Sequence, residues 1–412
     1  DNLTGIFQCI SFIFTISTLR FSTPPSKHQP IDNHMITPPH CKSDNCLNNS
    51  NTECKATESK KPERIIYLDL LKFFAIFLVV WGHAILFSRP STLESEAWQH
   101  NGTLQFIYSF HMPLFMMLTG FVYAMTLKGS FINSIKKKFR QLIIPSLTWG
   151  AIIVVIELPF ATTIQHGNIL VTLWHKLWFL KSAFFCGVVA FPVFKYHNKT
   201  SFLWIILLII AVQFVPETTP LRYVFMLPFF LMGGLIYRYN HLFSRHLIGI
   251  MVISGIIFWS MIYTCTSEVF IKFNHYSYNW EKIIQYPSLL LYRIYSIVIG
   301  TAGSLFFISL FQLLFKNTNT NPIALKFATW GQLTLGIYTL HCVGIREYCR
   351  HLFFTDQIET PLYSYVYTPL FSILILTLCI SMSLLAKRNR WTAWLLMGAR
   401  CPRSTPPSRQ CD

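Results

Sequence analysis

The sequence predicts an all-helical, polytopic transmembrane bundle of about ten helices, with both ends of the bundle on the cytoplasmic side. Three observations predict this architecture. The 412-residue chain is 52% hydrophobic and only 12% charged, whereas soluble domains carry about 25% charge. Apolar segments of spanning length recur along the chain from residue 65 onward. Basic residues cluster in every second connection between these segments, which is the pattern of the positive-inside rule.

The apolar segments give the helix count, because a bilayer-spanning helix needs about 20 residues. An aromatic content of 16% fits the interfacial belts of such a bundle. The segments lie at about 65–87, 104–127, 141–160, 176–195, 201–215, 221–238, 246–264, 284–315, 328–346 and 361–386.

The connections alternate in charge and so set the orientation. The basic set consists of Lys60, Lys61, Arg64, Lys128, Lys136, Lys137, Lys138, Arg140, Lys195, Lys199, Arg238, Arg245, Lys316, Lys326, Lys387, Arg388 and Arg390. The opposite set carries Glu94, Glu96, Glu268, Glu281, Asp356 and Glu359. Because cytoplasmic loops are enriched in Lys and Arg, we predict a multi-pass protein of the cell (plasma or inner) membrane, surrounded by lipid.

Three regions follow from composition. Residues 1–60 form a polar, cysteine-containing leader to which no function is assigned, 61–390 the transmembrane domain, and 391–412 a short C-terminal tail. The net charge of +17 is explained by the basic loops, and without a nucleic-acid motif no nucleic-acid partner is expected. The 11 cysteines form no C-x-x-C pair, so we expect no metal site.

The first helix carries a polar stripe. Asp69, Lys72 and His83 interrupt it, and charged groups in a membrane helix cost roughly 2.5–3.5 kcal/mol each. At 100° per residue the three lie on one face, with His83 about 16 Å beyond Lys72. A simpler interpretation is that Asp69 and Lys72 snorkel to the interface and that His83 only packs. A neutral histidine is nevertheless well suited to accept a hydroxyl proton.

The segment 68–84 resembles the first helix of acyltransferase family 3, whose signature is an Arg, ten residues, then a His. Lys72 stands at the Arg position and His83 at the His position. Lysine keeps the charge but lacks the bidentate fork of arginine.

Two further segments resemble the same family. FHMPLFMMLTGF (110–121) is similar to its second helix, with Pro113 expected in the first turn and His111 at the outer mouth; His111 could also be merely interfacial. KKKFRQLIIP (136–145) resembles its basic R-x-x-R motif, with Lys137 and Arg140 as the pair. The positive-inside rule alone would also explain this second cluster.

Two weaker resemblances come in the expected order along residues 65–390. LWFL (177–180) contains Trp178, and LGIYTLH (335–341) ends in His341. His341 is either a second site histidine or a core residue with satisfied hydrogen bonds. Asp69, Trp178 and His341 are therefore additional candidate site residues.

The resemblance implies an O-acetyltransferase that moves an acyl group, expected to be acetyl, from cytosolic acyl-CoA to a hydroxyl of a cell-surface or lipid-linked carbohydrate. Lys72, Lys137 and Arg140 would hold the coenzyme A phosphates. His83 would act as the base or position the acyl group, and His111 would assist. The acceptor is a carbohydrate, and polysaccharide-biosynthesis proteins are candidate partners. No Ser or Cys stands beside a base in a recognisable elbow, so no covalent intermediate is expected.

Two other functions compete with this interpretation. A transporter or flippase for a glycolipid or small solute would also have about ten spans with polar residues inside them. The sequence has neither a matched pair of broken helices nor symmetric halves, which argues against it. A membrane scaffold or sensor would not need a histidine at the depth of His83.

Overall fold

All regular secondary structure in the described part of the protein is helical. The computed structural model describes residues 64–88, 94–157, 173–174, 176–196, 201–215, 222–275, 280–316, 321–343 and 361–399. From Ile66 on these residues belong to one unit. The leader predicted at 1–60 lies outside the described residues.

Eight α-helices can be given with both ends in the described residues from 66 to 238. A π-helical turn at Phe139–Ile143 joins the fourth to the fifth, and a 3₁₀ turn at Val212–Phe214 extends the seventh. The helices are α1 (Ile66–Phe87), α2 (Glu94–His100), α3 (Gly102–Thr126), α4 (Phe131–Lys138), α5 (Ile144–Glu157), α6 (Trp178–Lys195), α7 (Ser201–Ala211) and α8 (Tyr223–Arg238).

Nine more have both ends in the described residues from 240 to 397. A π-helical turn at Tyr363–Tyr367 leads directly into the sixteenth helix. The helices are α9 (Asn240–Arg245), α10 (Leu247–Thr264), α11 (Ser267–His275), α12 (Trp280–Gln285), α13 (Ser288–Phe315), α14 (Pro322–Gly331), α15 (Thr334–His341), α16 (Thr368–Arg388) and α17 (Arg390–Met397).

Seven helical stretches in the described part are long and apolar enough to cross a membrane, so this is a membrane protein. Two shorter apolar helices, Phe202–Phe214 and Tyr223–Arg238, accompany them. The count of ten spans and the cytoplasmic placement of both ends stay predictions. The seven are Ile66–Phe87, Gly102–Thr126, Phe131–Ile156, Trp178–Lys195, Leu247–Thr264, Ser288–Phe315 and Tyr363–Arg388.

Two local expectations differ from the structure. Pro113 lies in the interior of α3, not in its first turn. The physical reason is an earlier start signal: the Asn101 side chain accepts from the Leu104 N–H at 2.9 Å, so the helix begins at Gly102. The segment predicted at 328–346 is two helices, α14 and α15, interrupted after Gly331.

The most buried helices are α1 and α3. Their apolar windows are 67% and 72% buried, against 22% for α10, which is therefore peripheral. Close contact between α3 and α8 depends on glycine: a Cβ on Gly120 would collide with the Phe230 carbonyl, and one on Gly233 with that of Met117. Small residues at helix interfaces allow such close backbone approach in membranes.

Candidate active site

Two histidines from distant parts of the chain meet near the C-terminal end of α1. His83 Nδ1 on α1 lies 3.0 Å from His341 Nε2 at the end of α15. His341 Nδ1 lies 2.9 Å from the Ile337 carbonyl oxygen. The polar side chains of α1 therefore meet a further histidine on α15, and His341 adjoins the candidate site.

The carbonyl fixes the tautomers of this pair. A carbonyl oxygen can only accept, so Nδ1 of His341 donates to it, and Nε2 of the neutral ring is the acceptor. Nδ1 of His83 must then donate to that Nε2. It follows that the Nε2 of a neutral His83 is unprotonated and can accept a proton.

The end of α1 that carries His83 is held by the last spanning helix. Trp81 Nε1 donates to Thr368 Oγ1 at 3.0 Å. The Tyr363 hydroxyl donates to the Ile85 carbonyl at 3.1 Å and lies 2.9 Å from Ser88 Oγ. These bonds on both sides of His83 fix the rotation of α1, and with it the direction of the imidazole.

His111, another candidate site residue, lies on α3. It is 2% exposed, and its Nδ1 lies 2.7 Å from the Ile107 carbonyl. The same reasoning makes Nδ1 the donor and leaves Nε2 of the neutral ring as an acceptor. The Tyr108 ring stands edge-on to it with centroids 4.7 Å apart. His111 is therefore set inside the bundle, not at an exposed interface.

His83 and His111 both line one cavity of about 290 Å³, which we call the histidine cavity. Its wall is rich in aromatic rings and contains one arginine, Arg222. Trp178, a candidate site residue predicted from the sequence, is the first residue of α6 and contributes one of these rings. The aromatic members are Phe87, Trp98, Tyr108, Trp178 and Tyr338.

A second cavity of about 190 Å³, the basic cavity, contains two lysines. Lys72 comes from α1 and Lys138 from the end of α4. Ten of its fifteen lining residues are apolar. Lysines in the wall of a mostly apolar cavity suit a ligand with an anionic head and a neutral tail.

Asp69 holds Lys72 in this position. Lys72 Nζ donates to Asp69 Oδ1 at 3.1 Å, and Gln332 Nε2 donates to Asp69 Oδ2 at 3.1 Å. Asp69 is 6% exposed. A Cβ on Gly331 would collide with the Asp69 carbonyl, so the break between α14 and α15 can approach α1 only because a glycine stands there.

Three residues belong to the walls of both cavities. They are Val79 of α1, Met112 of α3 and Tyr338 of α15. The two cavities therefore adjoin at this ring of side chains, which we call the neck. On α6, Trp178 faces the histidine cavity while the next residue, Phe179, faces the basic one.

The basic motif is only partly directed at a cavity. Lys137 is exposed, whereas its neighbour Lys138 lines the basic cavity and lies 5.1 Å from the Tyr123 ring centroid. Arg140 is partly buried in the π-helical turn, its Nε has no hydrogen-bond partner among the described residues, and it lines neither cavity described. The structure thus brings Lys72 together with Lys138 rather than with Lys137 and Arg140.

One cluster in the described part could in principle hold a metal. The donor atoms of His83, His341 and Cys342 lie within 4.8 Å of one another. The His83–His341 nitrogen distance of 3.0 Å is that of a hydrogen bond, and is shorter than the ~3.3 Å expected between two nitrogens on a tetrahedral zinc ion. Cys342 Sγ lies 3.7 Å from His341 Nε2. This cysteine therefore stands beside a base, which the sequence did not predict.

Comparison with known proteins identifies the family of this site. A family model described as an acyltransferase domain matches residues 65–391.

The chain belongs to acyltransferase family 3.

Curated relatives of this acyltransferase family protein are two nodulation proteins. Nodulation protein NolL of Sinorhizobium fredii is 31% identical over 185 residues, which are 42% of this chain and 48% of that protein. Nodulation protein NolL of Mesorhizobium japonicum is 29% identical over 202 residues, 44% of this chain and 52% of that protein. The chain spans about half the length of these relatives. No solved structure matches it significantly.

Four wall residues of this family member were not singled out from its sequence. Met112 and Tyr338 adjoin quoted motifs, and Tyr338 stands three residues before His341, a spacing that puts both on one helix face. Lys138 belongs to a run of three lysines whose members look alike in sequence. Arg222 has a left-handed backbone, φ +49°, and no pattern in the sequence predicts this conformation.

Proposed function

We propose that this protein transfers an acyl group, acetyl in the simplest case, from cytosolic acyl-CoA to a hydroxyl of a cell-surface or lipid-linked carbohydrate. The observation that carries the proposal is the His83–His341 pair, because its member His83 lines a cavity that shares three wall residues with a second, lysine-bearing cavity. A base and a phosphate-binding site at two ends of one passage are what acyl transfer from a long thioester requires.

The basic cavity would receive the coenzyme A head. Lys72 and Lys138 provide cations for phosphate oxygens, and Asp69 with Gln332 keeps Lys72 directed at the cavity. Lys137 and Arg140 would act at the entrance, as the surrounding basic field. The mostly apolar wall beyond the lysines suits the neutral pantetheine arm.

The length of that arm agrees with the spacing on α1. Lys72 and His83 are eleven residues apart on one continuous helix, which is about 16 Å of helical rise. The chain of pantetheine has about the length of four extended residues, roughly 14 Å. A coenzyme A held at Lys72 could therefore present its thioester at the level of His83.

The chemistry then needs one base and one acceptor. His83 Nε2 takes the proton of the acceptor hydroxyl as its oxygen attacks the thioester carbonyl. A new C–O ester bond forms, the C–S bond breaks, and the proton passes to the departing coenzyme A thiolate. His341 keeps His83 in the required tautomer, and His111 supplies a second acceptor nitrogen at the same cavity.

The aromatic wall supports a carbohydrate acceptor. Trp98, Tyr108 and Trp178 surround the histidines, and flat rings offer apolar faces with polar edges to a sugar. The family of the chain agrees with an acyltransferase. Polysaccharide-biosynthesis proteins remain candidate partners.

The proposed topology places coenzyme A in the cytosol. Seven long spans, two shorter apolar helices and the α14–α15 pair, taken as one crossing, add up to ten crossings. An even number of crossings puts both ends of the bundle on the same side, and the basic connections make that the cytoplasmic side of the plasma or inner membrane. The lysine end of α1 then faces inward, and the His83 end faces outward.

The test uses membranes that contain the full chain and radiolabelled acetyl-CoA. Wild type is compared with His83→Ala and with His241→Ala, whose histidine is exposed on α9. Label should enter a glycan or glycolipid fraction with wild type and His241→Ala but not with His83→Ala. Equal labelling with His83→Ala would overturn the assigned base, and no labelling by wild type would favour a transporter.

A further inference from the structure

Two ring nitrogens and one thiol form a small triangle beside the histidine cavity. His341 Nε2 is 3.0 Å from His83 Nδ1 and 3.7 Å from Cys342 Sγ, and the three atoms all lie within 4.8 Å of one another. Imidazole nitrogens and a cysteine thiolate are the ligands that Zn²⁺ prefers in proteins. The hydrogen bond between the two histidines therefore lies where a transition-metal ion could bind.

We infer that this triangle is an inhibitory site for Zn²⁺ and similar transition-metal ions, with water as the fourth ligand. Cysteine spacing in the sequence predicts no metal site, but these ligands come from segments 258 positions apart. Metal binding is independent of the proposed function. Its inhibitory effect rests on that function, because the ion binds the histidine assigned as the base.

Small side-chain movements convert the hydrogen bond into a metal site. A nitrogen and a sulfur on a tetrahedral zinc ion are ~3.6 Å apart, and His341 Nε2 and Cys342 Sγ are already at 3.7 Å. The two histidine nitrogens have to separate by about 0.3 Å from their present 3.0 Å. Cys342 Sγ has to approach His83 Nδ1 from a distance of at most 4.8 Å. The partly exposed side chains of His83 and Cys342 can make these changes.

His341 is already oriented as a metal ligand. Its Nδ1 donates to the Ile337 carbonyl, so its Nε2 carries the lone pair that a metal needs. Metal-binding histidines in proteins are usually fixed by such a hydrogen bond from the other ring nitrogen. The side chain is 0% exposed, so its direction is set before an ion arrives.

A metal at this position disables the base by moving one proton within His83. In the hydrogen-bonded pair, Nδ1 of His83 carries the proton and Nε2 is unprotonated. An ion on Nδ1 takes the lone pair of that nitrogen, so the neutral ring must carry its proton on Nε2. The Cys342 thiol releases its own proton and binds as the thiolate. His83 Nε2 then cannot take the proton of an acceptor hydroxyl.

Cys342 is the ligand whose removal tests the site. It lines neither cavity described, so Cys342→Ala leaves the walls of both unchanged. Cys265 is a matched control: it is also partly exposed, and its Sγ lies 3.7 Å from the Thr266 carbonyl oxygen. Cys265 belongs to no cluster of possible metal ligands in the described part of the chain.

The first experiment measures acetyl transfer from acetyl-CoA with increasing ZnCl₂, in membranes that contain wild type, Cys342→Ala or Cys265→Ala. All three should be equally active without added metal. Half-inhibition of Cys342→Ala should need at least about tenfold more Zn²⁺ than that of the other two, because even outer-shell changes cost 10–100-fold in metal affinity. EDTA should restore activity, and Mg²⁺, which prefers oxygen ligands, should not inhibit.

A second experiment has a readout that does not require transfer. The purified full-length chain is titrated with Co²⁺, which enters zinc sites and absorbs visible light when a thiolate binds it in tetrahedral geometry. The difference spectrum of wild type minus Cys342→Ala should show this absorption, because the contributions of all other cysteines cancel. The difference spectrum of wild type minus Cys265→Ala should be flat.

The outcomes separate this inference from the proposed function. Equal Zn²⁺ sensitivity of wild type and Cys342→Ala, or a flat cobalt difference spectrum for that pair, would overturn the inhibitory site while leaving the acyltransferase intact. A cobalt signal that depends on Cys342 in a wild type without any transfer would uphold the metal site and overturn the proposed function instead.

Discussion

Gln332 donates a hydrogen bond of 3.1 Å to Asp69 Oδ2, although the two residues are 263 positions apart. The other oxygen of the same carboxylate accepts from Lys72. The carboxylate thus joins the break between α14 and α15 to the lysine of the basic cavity, and each partner can be tested separately.

Gln332→Ala should raise the KM for acyl-CoA about tenfold, because a hydrogen bond to a charged group contributes roughly 1.5 kcal/mol. The kcat should change little, since the lysine binds the donor far from the reacting atoms. Steady-state kinetics in membranes measure both constants. Gln285→Ala, outside both cavities described, is the control; a larger loss of kcat than of binding would contradict the role of Lys72.

Lys138→Ala and Lys137→Ala form a matched pair of neighbours. Lys138 lines the basic cavity and Lys137 is exposed, so Lys138→Ala should raise the KM for acyl-CoA about tenfold and Lys137→Ala no more than about twofold. Measuring both at two salt concentrations also shows whether Lys137 acts by screened, long-range attraction. An equal effect of the two variants would mean that the motif acts only as a surface field.

His341→Ala should lower kcat by about two to four orders of magnitude, the range expected when a general base loses its function. The reason is that His83 loses the acceptor which fixes its tautomer. His341→Gln offers a carbonyl oxygen to the same Nδ1–H and should recover part of the loss. If Ala and Gln are equally impaired and the pH–rate profile keeps its wild-type shape, His341 is only a packing residue.

Gly120→Ala should destabilise the protein by roughly 1–3 kcal/mol, the cost of overpacking a tight contact. The added Cβ would collide with the Phe230 carbonyl of α8. Thermal unfolding in detergent should show a lower midpoint than wild type. Gly249→Ala is the control, because nothing lies within 4 Å of the Cβ it adds; equal midpoints for both variants would show that α3 and α8 can move apart without loss.

Much of the fold follows from the sequence because insertion into a bilayer is a local property. Hydropathy and length predicted each of the seven long spans, although their ends differ, by as much as the ten residues between the predicted start at 141 and the observed start at Phe131. Local signals also explain the errors. Asn101 starts α3 well before Pro113, and Gly331 ends α14 where the apolar pattern continues.

Part of the candidate site also follows from the sequence, and part of it does not. Asp69, Lys72 and His83 share a helix, so their common face follows from 3.6 residues per turn, and it is the face that meets both cavities. Periodicity within one helix does not say which partner helix lies opposite. The sequence therefore left His341 between a site and a core role.

By itself the sequence determined that the chain is a helical membrane protein, which family its motifs resemble, and that α1 carries the polar stripe. Only the tertiary structure decided that His83 meets His341, that Lys138 and not Lys137 lines the basic cavity, and that Val79, Met112 and Tyr338 separate the two cavities. The physical reason is the length of chain over which each property is determined. Partitioning into lipid depends on about 20 consecutive residues, whereas these contacts depend on how helices pack across hundreds of positions.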